Sequence, residues 1–234
     1  MLDIRPFKTL GHANHGWLDA HYHFSFSDYH DRNRMHWGRL RVWNDDRISP
    51  HNGFGAHPHR DMEIITYVRT GAITHEDSLG NRGRTEAGDV QVMSAGSGII
   101  HSEFNRDDEA TTLFQIWLIP DETGGTPSWG TRPFPRHERN GRFVPLASGF
   151  PEDKALPIRT RGRVLGATLK AGETLTYETD RSMFSYFVPA TGSVEIDGRT
   201  VGHRDGAAIH DVERFTITAL EDAEIVLVES AALR

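Results

Sequence analysis

The sequence predicts an all-β protein built as two tandem, similar domains, and three observations carry that prediction. Short segments rich in β-branched and aromatic residues recur along both halves of the chain, a proline-dense stretch separates the halves, and the rhythm of turns and strands between Gly71 and Gly88 returns between Gly192 and Gly206. Strands of this length at even spacing suggest sandwiches or barrels with few helices.

In the first half the candidate strands are RLRVW (39–43), EIITYV (63–68), DVQVM (89–93) and LFQIWLI (113–119), each bounded by Gly, Asn, Asp or other turn formers. In the second half they are TLTYET (174–179), SYFVPA (185–190), SVEI (193–196), RFTITAL (214–220) and AEIVLVE (223–229). Asp197-Gly198 between SVEI and RTV is a two-residue hairpin signal, because both positions of that turn need positive φ. Seven of the 11 prolines lie between Pro120 and Pro157. Proline removes a ladder donor and pushes its predecessor to extended backbone, so this stretch is expected to connect two domains, 1–135 and 136–234, with a short strand near Arg142 to Leu146.

Composition excludes several classes of function. With 33 acidic against 26 basic residues the formal charge is −7, which disfavours nucleic acid and anionic lipid as partners. The chain has no cysteine, so disulfides, thiolate zinc sites and cysteine nucleophiles are ruled out. The first residues lack a signal-peptide core, and no apolar run approaches the roughly 20 residues that span a bilayer. A cytoplasmic protein is expected.

Histidine is the compositional oddity: 11 of 14 lie between His12 and His101. Within that region His57-Pro58-His59 places two imidazoles two residues apart, and side chains two apart on a strand share a face. His101-Ser102-Glu103 repeats the spacing after the glycine turn Gly96-Ser97-Gly98. On neighbouring strands of a barrel the two pairs would converge as three imidazoles and a carboxylate around one metal ion. Nitrogen and oxygen donors suit iron, manganese, nickel, copper or zinc alike. Gly96-Ser97-Gly98 lacks the flanking pattern of a nucleophile elbow, which argues against a serine hydrolase. Phe24, Phe26 and Phe54 are candidates for an apolar pocket or for core.

Gly53 to Gly71, with HxH and then Glu63, resembles the first cupin motif, and Gly88 to Asn105 resembles the second. The second departs from the usual pattern in having Ser94 where proline is common and two additional residues before His101. With HPHRDMEIITYV, HEDSLGN, AGDVQVMSAGSGIIHSE and the opening GHANHGWLDAHYHFSF, the chain resembles bacterial pirin-like proteins, including the quercetin 2,3-dioxygenase group. The resemblance spans nearly the whole chain and is most specific through residue 120. It implies two tandem cupin (jelly-roll) barrels. The metal site, in the first barrel only, would be formed by His57, His59, His101 and Glu103.

Glu63 is a ligand position in many cupins, but in pirins the matching carboxylate is Glu103, so Glu63 is left a supporting role. The implied metal is iron(II), and the implied activity is dioxygenation of a flavonol such as quercetin with release of carbon monoxide. Glu103 is the candidate base for the substrate hydroxyl. The resemblance also offers a regulatory protein that responds to the redox state of its iron through protein partners, while an isomerase-type cupin fits the motifs less well. His75, Glu76 and Asp77 are open between outer-sphere and strand-end roles. His12, His15, His21 and His23 are expected in packing, hydrogen bonding or a pocket rim. His203 and His210 have no HxH partner and are assigned no chemistry.

Overall fold

The computed structural model describes residues 1–233, and its regular secondary structure is almost entirely strand, arranged in four sheets, two of seven strands and two of four. The predicted segments become Leu40–Ile48, Glu63–Thr70, Val90–Ser94 and Thr111–Leu118 in the first half, and Thr174–Glu178, Phe184–Thr191, Val194–Ile196, Arg214–Ala219 and Ala223–Ser230 in the second. Asp197 and Gly198 take φ of 47° and 79°, closing the hairpin in which Ile196 pairs with Arg199. The expected strand in the connector is Val144–Ser148. Among the described residues no helix is long and apolar enough to cross a membrane.

The sheets stack as four layers. Each four-stranded sheet closes over the outer face of a seven-stranded sheet to make one cupin barrel, and the two seven-stranded sheets face each other in the middle. Alternation along single strands makes this visible. Val226 and Val228 enter the central core with Tyr186, Trp43, Tyr67 and Phe114, while Ile225 and Leu227 turn into the second barrel with Phe187, Phe215 and Ile217. A strand covered on both faces needs apolar side chains at successive positions, which is why AEIVLVE reads as one unbroken run. The interior of the second barrel is filled by Leu, Ile, Val and Phe.

From Gly11–Asn14 through Ser128–Arg132 the strands belong to the first barrel's sheets, and from Val144–Ser148 onward to the second's. The opening strand Leu2–Arg5 departs from the expected range of 1–135. It pairs antiparallel with Gly206–His210 and completes the second barrel's large sheet. Its edge position leaves its partner open to either terminus, and nothing local in LDIR specifies which sheet receives it.

Polar groups lock the two barrels together. Arg139, only 1% exposed, donates from Nη1 to the Tyr67 hydroxyl (3.1 Å) and from Nη2 to the carbonyls of Gly88 and Phe134 (both 3.1 Å). It also lies 3.5 Å from the carboxylate of Glu224, which accepts hydrogen bonds from the Tyr67 hydroxyl and from Arg136. Burial and the neighbouring Glu224 push the Tyr67 phenol well above its ordinary range, so it is a committed donor. Asp45 bridges the halves in the same way, accepting from Arg69 and Arg204.

Candidate metal centre

The four-stranded sheet of the first barrel carries the histidines. Gly53–His59 runs antiparallel to Ile99–Phe104, with His57 directly opposite His101, and the register shifts before Glu103 pairs with Phe54. Along Ile99–Phe104 the buried positions are Ile99, His101 and Glu103, while Ile100 is half exposed, so the i, i+2 spacing puts His101 and Glu103 on the inner face. His57 and His59 face the same interior. The nearest nitrogens of His57, His59 and His101 all lie within 4.8 Å of one another.

Hydrogen bonds set the tautomers. His57 Nδ1 is 2.7 Å from the Gly55 carbonyl oxygen and must donate to it, leaving Nε2 with the lone pair. On the other side the Asp77 side chain is shielded from solvent. Burial alone would raise its carboxyl, but hydrogen bonds from His75 and Asn81 outweigh that and hold it below the usual carboxylate range. It accepts from His75 Nε2 at 2.9 Å, so His75 presents Nδ1 as acceptor to His101 Nδ1, 3.3 Å away. His101 Nε2 is then also a lone pair, and it lies 3.1 Å from His57 Nε2. Two lone pairs facing each other at that distance repel unless a cation attends them. Burial, reinforced by the neighbouring imidazoles, lowers His59 to about 4 and His101 to about 3, so both are neutral and able to ligate near neutrality. The donor set fits a divalent transition metal.

Glu103 lines the same cavity but lies outside the cluster of three histidines. Its carboxylate accepts from Gln91 Nε2 and Thr66 Oγ1 on one oxygen and from Gln115 Nε2 (2.6 Å) on the other. Glu63 faces away. It shares the side of its strand that carries Ile65 and Tyr67 into the central core, and it accepts from the Ser94 hydroxyl and the backbone N–H of Arg159. Burial is the main force raising its carboxyl.

A cavity of about 420 Å³ opens over the histidines. Its wall is aromatic, formed by Trp17, Tyr22, Phe26, Phe54 and Trp117, with Asn44, Asp46, Glu103 and Gln115 as polar points. Trp117 meets the ring of His59 edge-on, centroids 5.0 Å apart. Phe26 and Phe54 are thus pocket residues, whereas Phe24 belongs to the central core. Trp17 and Trp117 carry no sequence signal distinguishing them from core, since only the closing of the barrel turns them toward the cavity.

His75 and Asp77 stand behind His101, away from the other two imidazoles, while Glu76 pairs on the surface with Arg106. The His75 ring stacks on Trp129, centroids 4.7 Å apart and 8° from parallel. His12 and His21 stack on the surface hairpin with Asp19, and His15 is exposed. His23 is fully buried, 2.9 Å from the Tyr186 hydroxyl across the barrel interface, and burial holds it far below the ordinary histidine range. His203 and His210 sit beside the backbone carbonyls of Ala190 and Met183.

The Asp77–His75–His101 chain fixes the candidate ligating ring of His101, and outer-shell partners of this kind typically govern metal affinity by about 10–100-fold. His75→Phe, which retains a ring on Trp129 but removes both nitrogens, is expected to weaken metal binding by that factor, about 10–100-fold, without abolishing it. Competition with a chelator of known affinity reads the change, and an unchanged affinity would show that His75 only packs.

Comparison with known proteins accords with this architecture. Residues 3–118 match the family model described as Pirin, and residues 145–229 match the one described as Quercetinase C-terminal cupin domain. The chain is 63% identical over 232 residues to a pirin-like protein of Caulobacter vibrioides, covering 99% of this chain and 100% of the relative. It is 39% identical over 228 residues to a quercetin 2,3-dioxygenase of Escherichia coli K12, covering 97% of each. The crystal structure of the bacterial pirin YhhW of Escherichia coli in complex with nickel(II) superposes with a TM-score of 0.94 at 38% identity, over the full length of both chains. By sequence along its length and by fold, this chain belongs to the pirin family.

Proposed function

We propose that the protein is a metal-dependent dioxygenase that opens a flavonol such as quercetin with O2 and releases carbon monoxide. The observation that carries this reading is the convergence of three imidazoles, two of them held neutral, beneath an aromatic cavity of about 420 Å³. That volume suits a ligand of a few fused or linked rings. The relatives that carry the name quercetin 2,3-dioxygenase point the same way.

His57, His59, His101 and Glu103 would hold a divalent metal, iron(II) in this reading, which supplies a positive centre that acidifies a substrate hydroxyl and activates dioxygen. The chain contributes the rest. Trp17, Tyr22, Phe26, Phe54 and Trp117 receive the flat rings and keep water from the reacting carbon. Glu103, on the same strand and wall as His101, takes the hydroxyl proton on a carboxylate oxygen. Gln91, Thr66 and Gln115 fix the orientation of that carboxylate.

Iron-loaded protein is expected to consume oxygen and release carbon monoxide in the presence of quercetin, and His59→Ala protein is expected to do neither. An oxygen electrode coupled to carbon monoxide detection decides the matter. Absence of carbon monoxide, or equal turnover by the variant, would refute the oxygenase.

A further inference from the structure

Strand Leu40–Ile48 forms one side of the cavity, and two of its residues are out of place among aromatic neighbours. Asn44 and Asp46 are 4% and 2% exposed, both line the cavity, and both carry a buried side-chain oxygen, Oδ1 in each case, without a hydrogen-bond partner. Asp45 between them points the other way, to Arg69 and Arg204, as strand alternation requires. The residues paired with Asn44 and Asp46 do not relieve them. Tyr22 and Ala20 lie opposite on one side, and on the other Gln115 is engaged with Glu103 while Leu113 is apolar. A buried polar atom without a partner is costly, and two side by side on a cavity wall call for a ligand or ordered water to complete them.

We propose that Asn44 and Asp46 form the specificity wall of the cavity, hydrogen-bonding hydroxyl groups of a polyhydroxylated aromatic ligand. The inference rests on reading the cavity as an aromatic substrate site and names what selects within it. The aromatic wall accepts any flat ring, whereas the i, i+2 pair offers two polar groups on one face for hydroxyls along one edge of the ligand. Burial, with Asp45 and Glu103 nearby, raises the Asp46 carboxyl well above the carboxylate range, which adds an O–H donor to its acceptor. Asn44 offers a donor and an acceptor whichever way its amide is turned. A site built in this way favours ligands bearing hydroxyls over isosteres that lack them.

Anaerobic titration of the purified protein with quercetin and with flavone, the parent ring system without hydroxyls, tests this through quenching of tryptophan fluorescence. Wild-type protein is expected to prefer quercetin. Asp46→Val and Asn44→Val are each expected to lose roughly tenfold in quercetin affinity while flavone affinity stays within about twofold, and Asp46→Asn to keep most of the preference. Retained flavone binding reports that a variant is folded and its cavity intact. Undiminished preference in both valine variants would overturn the proposal, as would a wild-type protein that binds the two ligands equally or binds neither. Oxygen uptake measured in parallel keeps the two readings apart. A preference lost in the valine variants, in a protein that never consumes oxygen, supports the specificity wall and removes the oxygenase.

Discussion

Alanine at position 101 is expected to abolish stoichiometric metal binding, lowering affinity by well over about 100-fold, beyond the range typical of outer-shell changes. His101 is the hinge of the site: one ring nitrogen meets His57 and the other is held by His75, so its loss removes a donor and strands the buried Asp77–His75 pair. Glu103→Ala, which removes the proposed fourth ligand, is expected to fall in the same class. Glu63→Ala is expected to retain full metal content, because its carboxylate lies on the far side of its strand against Ser94 and Arg159. Metal analysis of the three variants after desalting checks the set. Metal lost from Glu63→Ala alone would overturn the assignment of the carboxylate.

The second large effect concerns the union of the barrels. Arg139→Ala is expected to destabilise the protein by about 3–5 kcal/mol, since it leaves Glu224 in the central interface with only Arg136 for a cationic partner and frees the Gly88 and Phe134 carbonyls. At this chain length the loss corresponds to a fall in Tm of roughly 6–20 °C. Glu224→Gln, which removes the charge but keeps the shape, should partly rescue Arg139→Ala when the two are combined. Denaturant unfolding of the single and double variants measures the coupling. A loss below about 1 kcal/mol for Arg139→Ala would place the pair among ordinary surface contacts.

Much of this architecture was legible before any coordinates. The nine segments read as strands are strands, Asp197-Gly198 closes a hairpin, and the HxH and HxE spacings put their side chains on one face, all because alternation is a property of the local backbone. The reading of Glu63 shows where that logic stops. Its parity with His57 and His59 holds only along an unbroken strand. Residues 60–62, with Asp61 at φ 49°, turn the chain between Gly53–His59 and Glu63–Thr70 and reset which face is which. Spacing offered both carboxylates, and family resemblance chose Glu103 over Glu63.

What the sequence determined by itself is the all-β class, its division by a proline-rich connector and the two histidine-bearing pairs, because turn chemistry and period-two patterning act between near neighbours. Only the tertiary structure decided that Leu2–Arg5 joins the far barrel, that Phe24 packs in the interface while Trp17 and Trp117 line the cavity, and that His75 and Asp77 hold His101. Each of these depends on which distant strand lies alongside or opposite. That is fixed by the cooperative closing of four sheets and not by any stretch of chain read alone.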